Sequence, residues 1–150
     1  MTGPSRVSAK VAVGGQPTEG QLVALRQDGF ALVIDLRVSG EGAQVLGPDA
    51  ESAAAAAAGL AYRHIPVSLA GLEAAQVDQL RDAIDTAAGP VYVHCAAGQR
   101  ACSLSLLATW SSGDLAVQAA ELGFPATDAR LVRFVEAQSE RDRLRLLQAI

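Results

Sequence analysis

The chain lacks what bilayer-spanning, secreted and nucleic-acid-binding proteins need. In 150 residues there is no unbroken apolar stretch of about twenty residues, and no basic start followed by an apolar signal segment. A formal net charge of −4 offers no basic face to nucleic acid. Cysteine is scarce: Cys95 and Cys102 are too few for a disulfide scaffold, and neither sits in the paired Cys/His clusters of a metal site. No metal and no cofactor is therefore expected, no membrane partner, and a cytoplasmic location. Linkers and internal repeats are also absent, so 1–150 reads as a single domain. Half of the residues are apolar and 19% are charged, a globular balance and not a disordered one.

What is present centres on His94-Cys95-Ala96-Ala97-Gly98-Gln99-Arg100, which follows the apolar run Val91-Tyr92-Val93 and precedes a helix-like stretch from Ala101 to Trp110. A strand, a small-residue loop, an arginine and a helix start together make an oxyanion site, because loop amides and helix N-terminus point at one spot. The same field favours the thiolate of Cys95, the nucleophilic form. Arg100 can hold two oxygens of a phosphate through its planar fork. A lone cysteine or histidine at a strand end is ordinarily a core residue. A buried strand end does not also need Gly98, Arg100 and a helix start, and that combination favours catalysis.

Along the chain, Lys10 to Val13 is expected as a short edge strand. Thr18 and Gln21 form a capping box for a helix from Glu19 to about Asp28. Ala31 to Ile34 reads as a buried strand with Asp35-Leu36-Arg37 at its end, and Arg37 either lines the pocket or pairs with Asp35 or Glu41. Pro48 to Ala58, with six consecutive alanines, is a closely packing helix. Leu60 to Val67 is a strand, with His64 either structural or at the pocket. Helices follow at Glu73 to Ala87, Asp114 to Leu122 and Thr127 to Ile150, the last offering an apolar stripe for a homodimer. Cys102 is read as a core residue, with a resolving thiol as its alternative. The order implies an α/β domain with a mainly parallel sheet flanked by helices.

The pattern His-Cys-x-x-Gly-x-Arg resembles the signature of tyrosine and dual-specificity cysteine phosphatases, but with four residues between cysteine and arginine where five are usual. Rhodanese-like sulfurtransferases also use four. Adding Val13-Gly14-Gly15-Gln16-Pro17-Thr18, Gly29-Phe30, Ile34-Asp35-Leu36-Arg37 and His64-Ile65-Pro66-Val67, the chain from about 7 to 123 resembles the beta-lactamase-hydrolase-like phosphatases, leaving 127–150 as a C-terminal helical extension. The resemblance implies a dual-specificity phosphatase fold. It also implies Cys95 as nucleophile, His94 as the residue orienting it, and Ala96, Ala97, Gly98, Gln99 and Arg100 as the phosphate cradle, with Arg37 lining the pocket.

Two departures bear on rate. Dual-specificity enzymes take a general acid from the loop after the preceding strand, and here Ser68 to Leu72 holds no acid before Glu73, the candidate. The residue after Arg100 is Ala101, which lacks the usual hydroxyl. Slow phosphomonoester hydrolysis through a cysteinyl-phosphate, on a phosphorylated small molecule or phosphoprotein, is the leading expectation. A persulfide-carrying sulfurtransferase and a non-catalytic anion or phosphoprotein-binding module are the alternatives.

Overall fold

The computed structural model describes residues 4–110 and 113–149. Among these residues five strands run in chain order as β1 (Ser5–Arg6), β2 (Val11–Gly14), β3 (Leu32–Asp35), β4 (Ala61–His64) and β5 (Val91–His94). They form one sheet in the order β1-β2-β5-β3-β4, parallel except for β1. The described residues also form six helices, α1 (Glu19–Gln27), α2 (Pro48–Ala58), α3 (Ala74–Thr86), α4 (Gln99–Thr109), α5 (Leu115–Glu121) and α6 (Ala129–Gln148).

The two-residue alternation of strands sorts the core into two layers. Ala12, Val33 and Tyr92 face α1 and α2, where Leu22, Leu25, Phe30, Ala55 and Leu60 meet them. Val11, Val13, Ile34, Val91 and Val93 face the other way, onto Val77, Leu80 and Ile84 of α3 and the buried length of α4. Each layer closes one face of the sheet, so the strands carry apolar residues on both sides.

Local signals set the helix ends. At α1 the Gln21 N–H donates to Thr18 Oγ1 at 3.2 Å and the Thr18 N–H to Gln21 Oε1 at 2.8 Å, the expected capping box. Pro48 opens α2 and Gly59, at φ +85°, closes it.

Two strand readings differ from expectation. Val11–Gly14 is not an edge strand, because Ser5–Arg6 pairs antiparallel outside it. The strand at Leu60 to Val67 is confined to Ala61–His64; Pro66 carries no N–H for a ladder. Phe134 and Val135 of α6 pack against the larger core cluster. Ser111 and Ser112, expected to break the preceding helix, lie outside the described residues. Among the described residues no helix is long and apolar enough to cross a membrane.

Gly14, Asp35 and His94 stand in one row across β2, β3 and β5. The residues that follow each of them therefore emerge together at the carboxyl edge of the sheet. Cys95 leaves from the central strand of the five.

Candidate active site

Cys95 is the first residue past β5 and is 2% exposed. Its Sγ accepts the Gly98 N–H at 3.1 Å and the Ala101 N–H at 3.4 Å. The chain from Ala96 to Gly98 thus curls around the sulfur and runs straight into α4, whose first N–H groups have no acceptor within the helix. Those donors and the positive end of the helix dipole favour negative charge at the sulfur.

Gly98 permits that turn in two ways. Its φ of +106° belongs to the region glycine tolerates, and a Cβ there would lie 2.3 Å from the Phe124 ring. Phe124 follows α5, so the segment between α5 and α6 roofs the loop. Thr127 fastens the same segment, its N–H and hydroxyl both donating to Gln99 Oε1 at 3.3 Å. Ala96 and Ala97 form the exposed rim.

Arg100 lies in the first turn of α4. Its Nη1 donates to Val67 O and to Glu41 Oε2, each at 2.8 Å, and its Nη2 to Glu41 Oε1. These bonds to Glu41 lead the causes that raise the Arg100 pKa, against burial, with the Cys95 charge adding to them. For Glu41, burial opposes ionisation. The hydrogen bonds from Arg100 and the Val38 N–H, and the Arg100 and Arg37 charges, outweigh it and hold the carboxyl below its usual range.

Behind the loop lies a buried polar network. His94 Nδ1 is 3.3 Å from Cys95 O, and Nε2 is 2.5 Å from Glu51 Oε2. Glu51 reaches in from α2 and accepts from Arg37 Nη2 at 3.0 Å. Arg37 also grips Asp35 through Nε and Nη2, each at 2.9 Å, and donates from Nη1 to Gln16 Oε1 at 3.0 Å. Burial pushes the Asp35 carboxyl up, but the Arg37 hydrogen bonds, the His94 charge and the Tyr62 hydroxyl together hold it below its usual value. Tyr62 Oη donates to Asp35 Oδ2 at 2.7 Å, and its own pKa rises through burial and that carboxylate. Asp35, Glu51 and His94 bring potential metal-ligand atoms within 4.8 Å of one another. The Arg37 guanidinium sits between the two carboxylates and already supplies the cation.

Of the residues singled out in the sequence, Cys95, His94, Gly98, Gln99 and Arg100 come together. Arg37, a candidate pocket residue, is fully buried with its charge met by Asp35 and Glu51. It braces the floor and does not line the pocket. His64 Nε2 lies 2.5 Å from Arg37 O, a structural contact. Glu73 is exposed at the N-cap of α3, its N–H bonded to Gln76 Oε1 at 2.9 Å. Among the described residues no hydrogen bond or ion pair joins its carboxylate to Cys95 or Arg100. Cys102 is buried in α4, and burial together with the neighbouring Cys95 pushes its thiol up to about 12.

The model of the "Beta-lactamase hydrolase-like protein, phosphatase-like domain" family matches residues 5–117. The chain belongs to that family. It is 38% identical over 101 residues to the beta-lactamase hydrolase-like protein of Xylella fastidiosa, and 34% over 102 residues to that of Agrobacterium fabrum. The matched segments are 67% and 68% of this chain but only 23% and 24% of those proteins. The chain thus corresponds to less than a quarter of the curated relatives it matches.

Solved structures agree on the fold. A DUF442 protein of Shewanella putrefaciens superposes with a TM-score of 0.79 at 23% identity, covering 92% of this chain and 91% of that one. TpbA of P. aeruginosa gives 0.71 at 16%, covering 98% and 91%. A cysteine-to-serine form of TpbA, solved in complex with pTyr, gives 0.62 at 18%, covering 89% and 80%. Family and fold together make the chain a phosphatase-like domain with a tyrosine-phosphatase-type architecture.

Three contributors escaped sequence reasoning. Glu51 sits at the head of the alanine run, and its spacing of four from buried Ala55 places it on the helix face turned to the sheet. Phe124 looked like part of a turn. Glu41 was visible as the lone acid of a glycine-rich loop, but nothing local pointed it at Arg100.

Proposed function

We propose that the domain is a cysteine-dependent phosphomonoesterase. The observation that carries the reading is the Cys95 sulfur receiving two backbone N–H groups at the start of α4, with Arg100 in the first turn of the same helix. In the first step the Cys95 thiolate attacks phosphorus, a P–S bond forms and the ester P–O bond breaks, releasing the leaving oxygen with its electron pair. Loop amides and Arg100 hold the equatorial oxygens as charge develops on them. In the second step water attacks phosphorus, the P–S bond breaks and Cys95 returns as thiolate with release of inorganic phosphate.

Proton supply shapes the substrate class. Glu41 is held anionic by Arg100, Asp35 and Glu51 lie in the buried network, Glu73 is exposed on α3, and Ser68 to Leu72 hold no acid. None is set to protonate a leaving oxygen, which favours esters whose leaving group is stable as an anion, such as aryl phosphates. The pTyr bound by a TpbA variant is a substrate group of that kind. Phosphotyrosine, in a protein or a small molecule, is accordingly the natural group to test.

The experiment is phenol release from an activated aryl phosphate by reduced protein, with Cys95→Ser as control and thiosulfate plus cyanide in parallel. Release by the wild type alone supports the reading; equal release by Cys95→Ser sinks it. Thiocyanate without phenol would assign a persulfide carrier on the four-residue loop. Phosphate binding without turnover would leave a binding module.

A further inference from the structure

The donors of Arg100 can be counted. A guanidinium on arginine has five N–H groups. Nη1 gives both of its own, to Glu41 Oε2 and to Val67 O at 2.8 Å each, and Nη2 gives one to Glu41 Oε1. These bonds leave the Nε–H and the second Nη2–H, parallel along one edge of the plane, and the guanidinium also interacts with the Cys95 side chain. That edge is a fork matched to two oxygens of a tetrahedral oxyanion.

Glu41 is itself held in place. Its Oε2 accepts the Val38 N–H at 2.8 Å, its N–H donates to Val38 O at 3.2 Å, and Gln44 Nε2 donates to the same carbonyl at 3.2 Å. Gln16 then fastens the loop from outside: its Nε2 donates to Ala43 O at 3.1 Å, and its Oε1 accepts the Val45 N–H at 2.9 Å. The Gln16 N–H donates to Ala96 O at 3.4 Å. One residue therefore ties the loop that carries Glu41 to the loop that carries Cys95, fixing the two in relation to each other.

We propose that Glu41 is a positioning residue for oxyanion binding: it takes the end of the Arg100 guanidinium and so turns the free Nε/Nη2 edge toward the anion held over Cys95. The assignment rests on the phosphatase reading of the site. Val67 O fixes the guanidinium from a third direction, and Arg100, with its side chain 11% exposed, has little freedom left. A guanidinium held in this way loses less conformational entropy when it takes up the anion than a free one. The same contact could instead be a plug, with Glu41 standing where substrate should bind. The two roles predict opposite effects of removing it.

The test measures oxyanion binding without turnover. Alkylation of Cys95 by iodoacetamide is followed by mass spectrometry in rising inorganic phosphate for wild type, E41A and E41Q, with thermal midpoints recorded alongside. Phosphate is expected to protect wild-type Cys95. In E41A the half-protecting concentration should rise about tenfold or more, the loss of one well-oriented charge-assisted contact. E41Q, whose amide oxygen still accepts from the guanidinium, should fall between the two. If E41A is unstable, E41Q carries the comparison, and its protection curve should still shift to higher phosphate. Protection equal to wild type in both variants overturns the assignment, and tighter protection in either makes Glu41 a plug. Absence of protection in the wild type overturns the phosphatase reading beneath it, and the assignment with it.

Discussion

His94 Nε2 lies 2.5 Å from Glu51 Oε2, with both side chains fully buried. That contact joins the strand that leads into Cys95 to a helix on the α1/α2 side of the sheet. Glu51 is shared, since Arg37 Nη2 holds its other oxygen. Removing the carboxylate would leave Arg37 with one carboxylate, Asp35, beside the Gln16 side chain, and His94 without its closest partner.

Glu51→Ala should therefore destabilise the fold by about 3–5 kcal/mol, the cost of breaking a buried ionic pair from one side. Urea unfolding reads this as a lower midpoint with an unchanged slope. Loss under about 1 kcal/mol would mean that water or another side chain takes over the vacated acceptor.

Arg100→Lys keeps the charge and loses the fork. The expected outcome is a fall in kcat/KM on an activated aryl phosphate of about 10²–10³-fold, with the thermal midpoint little changed. A smaller loss would show that the loop amides carry most of the oxyanion stabilisation.

Gly98→Ala combines an unfavourable backbone conformation with a Cβ placed 2.3 Å from the Phe124 ring. A stability loss of about 1–3 kcal/mol is expected from backbone strain alone. Phe124→Ala in the same chain should recover the steric part but not the backbone part. A double-mutant cycle with a coupling above about 0.5 kcal/mol would show the ring contact at work.

Stability should fall at both ends of the pH range. The Asp35 and Glu41 carboxyls have pKa values lowered by folding, so their contribution is present above the usual carboxylate range and is lost as pH drops through the folded values. Burial and the neighbouring Cys95 push the Cys102 thiol up to about 12, so its contribution is full below the ordinary thiol range and disappears as pH climbs toward 12. Chemical denaturation of Cys102→Ala across pH 8 to about 11 should show a flatter alkaline limb than the wild type. Identical slopes would exclude Cys102 as a source of the alkaline loss.

The Cys95 loop was legible in the sequence because its parts are contiguous: a buried strand, Cys95, small residues, Arg100 and a helix start follow one another along the chain. The capping box at Thr18 and the glycine stop at Gly59 were legible for the same local reason. Residues that meet across the fold were not. Arg37 looked equally suited to a pocket and to an ion pair, and only the alignment of β3 beside β5, with Glu51 arriving from α2, decides for the pair. Glu41 and Arg100 are 59 positions apart and meet because Gln16 ties two loops together. Ser5–Arg6 was hidden too, since a two-residue strand has no periodicity to read.

Phe124 lies beyond residue 117, where the family match ends, yet its ring closes over the glycine that shapes the Cys95 loop. A cassette cut at that boundary would carry Cys95 and Arg100 and leave their roof behind. Grafting this domain onto another protein therefore calls for a junction beyond Thr127, so that Phe124 and the Gln99 contacts travel with Cys95. The working unit is longer than the recognisable one.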